Sequence, residues 1–228
     1  DQISEGRLEV GIGAGWKATD YQHSGIPMDR PGIRVDRMVE HAAILKSLLA
    51  GETTTFKGQH YQVTDLPGTP ACHTPGGPKF LVGGGAPRVL RFAGKFADIV
   101  GVNPSTAAGR GSADTFRDAL PDSIDAKVAL VRASAGERWE SLELNAWLSM
   151  AVLTDTPHEA VEGMAAFAGV SSAEVLASPI VLVGSESEMV ERLHERRERW
   201  GYTYTCVPGP MGEVPLGSQE WEWSRLWL

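Results

Sequence analysis

The feature that most constrains this chain is a recurring unit: a short apolar run ends in glycine or asparagine, and a helix-forming stretch follows. Lys79–Val82 runs into Gly83-Gly84-Gly85, and Pro87 then fits the first turn of a helix, where a missing N–H is tolerated. Arg7–Ile12 leads into Gly11-Ile12-Gly13-Ala14-Gly15-Trp16, and Ile33–Ala50 follows with Val35, Met38, Val39, Ala42, Leu45 and Leu49 on one helical face. Asp98–Val102 ends in Asn103-Pro104, Leu142–Leu153 reads as a fourth strand, and Tyr202–Val207 as the last. Strands that alternate with helices of this length predict right-handed crossovers and a parallel sheet, hence an α/β fold. Five strands can be counted, too few to close a barrel of eight.

Local signals set the helix limits. Gly51 and Gly201 stand where C-terminal glycine caps are expected. Thr156–Glu159, Ser171–Glu174 and Ser185–Glu188 each have the spacing of a capping box. The last opens a helix with Met189, Val190, Leu193 and Trp200 as its apolar face. Ser123–Ala135 reads as a further helix, Thr53–Tyr61 as a small hairpin or an extended excursion, and Pro179–Val183 as a brief apolar stretch. The segments after Trp16 and from Asn103 to Pro121 read as polar loops.

Three segments can carry chemistry. Gly13 and Gly15 at a strand end let a ligand approach the backbone, or simply make a tight strand exit. They do not complete a dinucleotide fingerprint, since no acidic residue ends a second strand about twenty residues on. Gly83, Gly84, Gly85 and Ala86 leave a buried strand and enter a helix, which suits an anion such as phosphate. Arg88 in the first turn adds a possible charge-assisted contact; the plain alternative is a βα turn. Asn103 arrives at the same end of the sheet, as a ligand contact or as ordinary turn chemistry. Trp16 at the mouth of the first glycine turn walls a pocket or fills core.

Other chemistries lack their residues. The six histidines form no metal-ligand spacing, and neither Gly-x-Ser-x-Gly nor a Walker A motif occurs. No catalytic side chain can be named. A phosphate-type loop without an evident nucleophile points to a bound cofactor that carries the reaction. The formal net charge of −8 argues against nucleic acid or an anionic membrane as partner. No apolar run approaches the roughly twenty residues of a membrane span, and Cys72 and Cys206 predict reduced thiols in a cytoplasmic protein.

Taken together, Ser4–Trp16, Gly25–Pro27, Arg34–Leu49, Thr55–Tyr61, Lys79–Gly85, Asp98–Asn103 and Pro179–Val207 resemble the luciferase-like monooxygenase superfamily, in particular the branch that uses coenzyme F-420, a 5-deazaflavin. The resemblance implies a (β/α)8 TIM barrel with an insertion at about residues 52–78, one barrel domain over 1–208, and a cytoplasmic homodimer acting on a small-molecule substrate. The strand at Leu8–Gly13 resembles the fourth of eight. With a chain that opens at Asp1 and is already a strand by Arg7, three earlier units, roughly 80–100 residues, are expected outside this sequence. Carried over by position, Gly83, Gly84, Gly85 and Ala86 match the phosphate loop. Gly13, Gly15 and Trp16 match the segment at the ring and substrate, and Asn103 the end of the next strand. Sugar-phosphate dehydrogenases of the family place Glu where Trp16 stands, and Asn then Glu at Thr19 and Asp20. Glucose-6-phosphate oxidation by that mechanism is therefore not expected; Asp20 is the nearby acid, or a solvated loop residue.

Three activities follow from the resemblance: hydride transfer between coenzyme F-420 and an organic substrate, an FMN-dependent monooxygenase that uses O2 and a flavin reductase, or a non-catalytic ligand-binding subunit. Residues 209–228, with Trp221, Trp223 and Trp227, do not resemble the closing helix of the family.

Overall fold

In the computed structural model, residues 1–106, 111–207 and 225–226 are described. In chain order the elements are β1 (Glu9–Ile12), α1 (Ala18–Ser24), α2 (Pro31–Leu49), β2 (Thr53–Lys57), β3 (Gln62–Pro67), β4 (Lys79–Gly84), α3 (Pro87–Phe96) and β5 (Ile99–Val102). They continue with α4 (Ala113–Arg117), α5 (Pro121–Ala135), β6 (Glu143–Trp147), β7 (Met150–Leu153), α6 (Pro157–Ala160), α7 (Glu162–Ala168), α8 (Ser172–Ala177), β8 (Val181–Gly184), α9 (Glu186–Trp200), β9 (Tyr202–Cys206) and β10 (Arg225–Leu226). The Trp-rich segment falls outside the described residues apart from the two of β10.

Five strands form the parallel sheet that the alternation predicts, in the order β1-β4-β5-β6-β9, and β10 adds antiparallel to β9. The sheet is open: among the described residues, β1 is hydrogen-bonded to β4 alone. Side chains alternate along each strand. Phe80 and Val82 of β4, Val100 and Val102 of β5, and Leu144 and Ala146 of β6 join the main apolar cluster. That cluster takes Val35, Met38 and Ala42 from α2, Leu90 and Ala93 from α3, and Ile124, Val128 and Val131 from α5. Gly11, Leu81, Gly83, Gly101, Asn145 and Trp147 belong to the other register, so the opposite face of the sheet is unusually bare near its C-terminal edge. A hairpin forms from β2 and β3, paired antiparallel, and it extends beyond the expected Thr53–Tyr61, since its second strand is Gln62–Pro67.

Four sequence expectations change. The loop after Trp16 contains α1, which buries no residue and therefore shows no apolar period; it stops at Gly25, left-handed at φ 69°. The loop from Asn103 contains α4, capped by Ser112 Oγ on the Thr115 N–H and anchored by buried Phe116. The single strand expected over Leu142–Leu153 is two, β6 and β7, because the backbone changes partners between them. Leu148 N–H donates to the Cys206 carbonyl at 3.0 Å, and Ser149 N–H to the Ile180 carbonyl at 2.7 Å. From there β7 pairs in parallel with β8 instead of continuing in the main sheet. Thr156 makes no side-chain cap; Thr154 Oγ1 takes its N–H instead, and a short α6 follows. The boxes at Ser171 and Ser185 form as expected.

A second apolar cluster lies under β7 and β8 and is built from α4, α7 and α8, including Phe116, Ala165, Val175, Leu176 and Val183. Helix α9 ties the two clusters together. Trp200 sits in the first and donates Nε1–H to Asp125 at 2.6 Å. Arg196 of the same helix, 5% exposed, donates to the carbonyls of Ser178, Pro179 and Val181 at the second. No described helix is long and apolar enough to cross a membrane.

Candidate functional site

The C-terminal ends of β1, β4, β5 and β6 border one cleft of about 580 Å3. In a parallel α/β sheet this is the end where ligands bind, because loops and helix N-termini converge there. Gly11 to Trp16 form one wall with Pro31, Arg34 and Val35 of α2. Gly83–Ala86 form the floor, and Asn103–Thr106 with Trp147 the far wall. A larger groove of about 920 Å3 runs between α8 and α9. It lies away from the strand ends and is lined by Glu188, Glu191, Glu195 and Glu198 with arginines, a solvated charged surface with no convergent site.

The glycines of the cleft are glycine for different reasons. A Cβ on Gly85 would collide with the Asn103 carbonyl and the backbone of Pro104 and Ser105, and one on Gly84 would stand 2.6 Å from a Val89 methyl. Those two are required by packing of the chain on itself. Gly15 sits at φ +68°, and a Cβ there would collide with the Tyr21 hydroxyl. Gly11 and Gly13 are different: a Cβ on either meets no atom within 4 Å, so their bareness opens the cleft and serves no internal contact. A flat group could lie against this wall at backbone distance.

At the floor, α3 begins at Pro87 with no side chain capping it, which leaves the N–H groups of its first turn to a ligand or water. The residues present therefore fit a phosphorylated ring cofactor in two respects, an uncapped helix start at the floor and an unfilled wall beside it. Asn103 projects between Gly83 and Gly101, with its Nδ2 3.4 Å from the position of a Gly83 Cβ. Its Oδ1 is buried and has no hydrogen-bond partner. Asn145 on the neighbouring strand is 4% exposed, and its Nδ2 donates to the Tyr204 carbonyl at 3.1 Å and to Cys206 Sγ at 3.4 Å.

Of the residues singled out from the sequence, the structure brings Gly13, Gly15, Trp16, Gly83, Gly84, Gly85, Ala86 and Asn103 to this one cleft. Trp16 is 45% exposed, so it rims the opening and fills no core. Two others are not in the lining. Arg88 turns from the floor to α2, where it pairs with Asp36 and donates to the Gly32 carbonyl at 3.3 Å. Asp20 is exposed and pairs at 3.6 Å with Lys17, the residue that precedes α1.

Among the lining residues that sequence reasoning does not single out, two matter most for the site. Trp147, half exposed, stands opposite the glycine wall; the sequence places it mid-strand, because the break after it depends on pairing partners. Arg34 is 8% exposed in the first turn of α2, donates Nη1–H to the Gly15 carbonyl, and is the one ionisable residue among those described that line the cleft. The far-wall loop is held from outside. Asp118 accepts Ser105 N–H at 2.7 Å and Ser123 Oγ–H at 2.6 Å, and pairs with the buried Lys127 ammonium at 2.7 Å. Burial pushes the Asp118 carboxyl up, but the lysine and these donors outweigh it and hold the group below its ordinary value.

Comparisons place this architecture among known proteins. The chain is 27% identical over 217 residues to a pyrimidine monooxygenase RutA from a Caulobacter species, covering 86% of this chain and 60% of that protein. It is 28% identical over 155 residues to 5,10-methylenetetrahydromethanopterin reductase from Archaeoglobus fulgidus, covering 68% of this chain and 41% of that one. The chain thus spans 60% or less of the length of these curated relatives. The coenzyme F420-dependent tetrahydromethanopterin reductase from Methanopyrus kandleri superposes with a TM-score of 0.67 at 16% identity, over 93% of this chain and 71% of that one. That likeness shows the luciferase-like TIM-barrel fold, of which the sheet here is an unclosed part. The luciferase-like monooxygenase profile matches residues 1–204, and with the parallel sheet and its C-terminal cleft this places the chain in the luciferase-like monooxygenase family.

Proposed function

We propose that the chain provides the cofactor wall of an oxidoreductase that moves a hydride between coenzyme F-420 and a small organic substrate. The observation that carries this reading is the bare wall at Gly11 and Gly13 beside the uncapped start of α3, in a cleft whose described lining holds no carboxylate, imidazole or thiol. Such a lining binds and orients but has no side chain to exchange a proton, so a bound group must carry the chemistry. A deazaflavin supplies hydride exchange at its ring when bound. The chain's own residues then have defined tasks. The floor at Gly83–Ala86 and α3 would hold the phosphate, and Gly11 and Gly13 would admit the ring. Asn103 Oδ1 would accept a hydrogen bond from it, and Trp16 and Trp147 would narrow the opening against water. The similarity to proteins named as F420-dependent supports this cofactor.

A second reading, an FMN-dependent monooxygenase served by a flavin reductase, is favoured by the RutA likeness along 86% of the chain. Fluorescence titration with each cofactor separates the two. Saturable binding of F-420 without binding of FMN is the expected result. Binding of FMN alone overturns the first reading in favour of the second, and binding of neither removes both and leaves the non-catalytic subunit. Homodimer formation and a small-molecule substrate are part of the same proposal.

A further inference from the structure

Arg34 is in an electrostatic position that the described residues of the protein do not balance. It is 8% exposed, and its Nε has no hydrogen-bond partner. Its described contacts are neutral: the Gly15 carbonyl and the face of Tyr21, 5.9 Å from the guanidinium carbon. The neighbouring arginines differ, since Arg37 pairs with Asp29 and Arg88 with Asp36. No described carboxylate forms an ion pair with Arg34. The residue also occupies the first turn of a 19-residue helix with no acidic residue in that turn and no side-chain cap. The dipole there is positive and opposes a cation. A buried, unpaired charge at the wrong end of a helix is strongly unfavourable unless an anion joins it. It borders the cleft. The start of α3 lies alongside, joined to α2 by the bond from Arg88 to the Gly32 carbonyl.

We propose that Arg34 is an oxyanion-binding residue of the cleft, holding a phosphate or carboxylate oxygen of a ligand with the part of its guanidinium that Gly15 does not use. The planar fork suits this double task, one arm on a carbonyl and another on an oxyanion. The inference rests on reading the cleft as the ligand site, but it does not depend on which ring cofactor binds. The oxyanion belongs either to the cofactor's phosphate or to the substrate.

The test uses the whole chain, its R34M and R34Q variants, and three probes: F-420, its 5-deazaflavin chromophore without the phosphate-bearing tail, and inorganic phosphate, with FMN and riboflavin taking the place of the first two if FMN is the cofactor that binds. Wild type is expected to bind the phosphorylated cofactor about tenfold or more tighter than its phosphate-free counterpart, as a charge-assisted bond to phosphate implies, and R34M to lose that preference. That result puts the oxyanion on the cofactor. If the ratio of phosphorylated to phosphate-free cofactor affinity is the same in both proteins, but inorganic phosphate raises the melting temperature of wild type and not of R34M, the oxyanion belongs to the substrate and the proposal stands. It is overturned if R34M keeps both the ratio and the phosphate-induced rise, since Arg34 then serves only to hold Gly15. If wild type binds neither flavin nor F-420, the proposed function fails, and the phosphate arm still decides the role of Arg34. Should R34M not fold, R34Q decides: glutamine can still donate to the Gly15 carbonyl but carries no charge, so a full wild-type response to phosphate and cofactor in R34Q overturns the proposal.

Discussion

At the scale of single residues, the glycines of the cleft divide into two kinds that mutation should separate. Gly85 is pressed against the backbone of Asn103–Ser105, which cannot swing aside as a side-chain end can. Gly85→Ala is expected to lower stability by about 1–3 kcal/mol, the usual range for overpacking, read by chemical denaturation. Gly13 has open space beside it and no left-handed backbone requirement. Gly13→Ala is expected to leave the denaturation midpoint unchanged or slightly raised, since a Cβ narrows the unfolded ensemble, while weakening binding of the ring cofactor. Equal loss of stability in both variants would refute the distinction. Asp118 is a third case, because its carboxylate neutralises a buried lysine and also holds the far-wall loop. Asp118→Asn leaves the Lys127 ammonium unpaired and should cost about 3 kcal/mol. The folded-state pKa of Asp118 is depressed, so its contribution is present above its ordinary value of 3.8 and is lost as pH falls through the depressed one. The difference between wild type and D118N in urea should therefore shrink below about pH 4.

At the scale of elements, the join between α2 and the β2–β3 hairpin is one carboxylate. Glu40 Oε1 accepts Gln59 N–H at 2.7 Å, and Oε2 accepts His60 N–H at 2.9 Å and Tyr61 N–H at 3.0 Å. Desolvation raises the Glu40 pKa, but the three N–H donors outweigh it and leave it below the ordinary 4.5. Glu40→Gln keeps one acceptor oxygen in place of two, so amide-exchange protection at residues 59–61 should fall. In wild type the same protection should decline as pH drops below the ordinary value of 4.5 and through the depressed one, where the folded carboxylate protonates. Unchanged protection in both comparisons would mean that the hairpin docks by other contacts. Elements also show what the sequence could and could not reveal. The parallel strands, the apolar face of α2 and the boxes at Ser171 and Ser185 were legible because each is written within a few residues. The break between β6 and β7 was not. Both pieces are apolar, and what divides them is whether Cys206 or Ile180, each distant in the chain, accepts the next N–H. The cleft divided similarly. Its glycines stand out as a cluster, whereas nothing in the sequence around Arg34 marks it as buried. Its burial comes from the Gly15–Tyr21 segment folding over it, a contact that helical periodicity does not encode.

At the scale of the whole molecule, two apolar clusters share one chain but not one task. Every described residue lining the cleft comes from β1, α2, β4, α3, β5, β6 or the loops that follow them. The β7–β8 unit, with α6, α7 and α8, contributes none. A two-stranded sheet is marginal alone. This one persists because α8 covers it and because Arg196 of α9 satisfies three carbonyls at its start. The same helix places Trp200 in the main cluster, so mechanical connection exists between the unit and the sheet that carries the cleft. Whether energy passes along it is a question about coupling, since distant sites without shared partners behave additively to within a few tenths of a kcal/mol. Leu176→Ala removes a side chain that is 5% exposed in the second cluster and should destabilise the fold by about 2–5 kcal/mol. If the clusters are independent in function, cofactor affinity measured well below the melting temperature stays within about twofold of wild type, the change expected of additive sites. A parallel fall in affinity would instead make α9 the coupling element. In that case Arg196→Met, which removes the grip on the second cluster without touching the cleft, should lower affinity as L176A does.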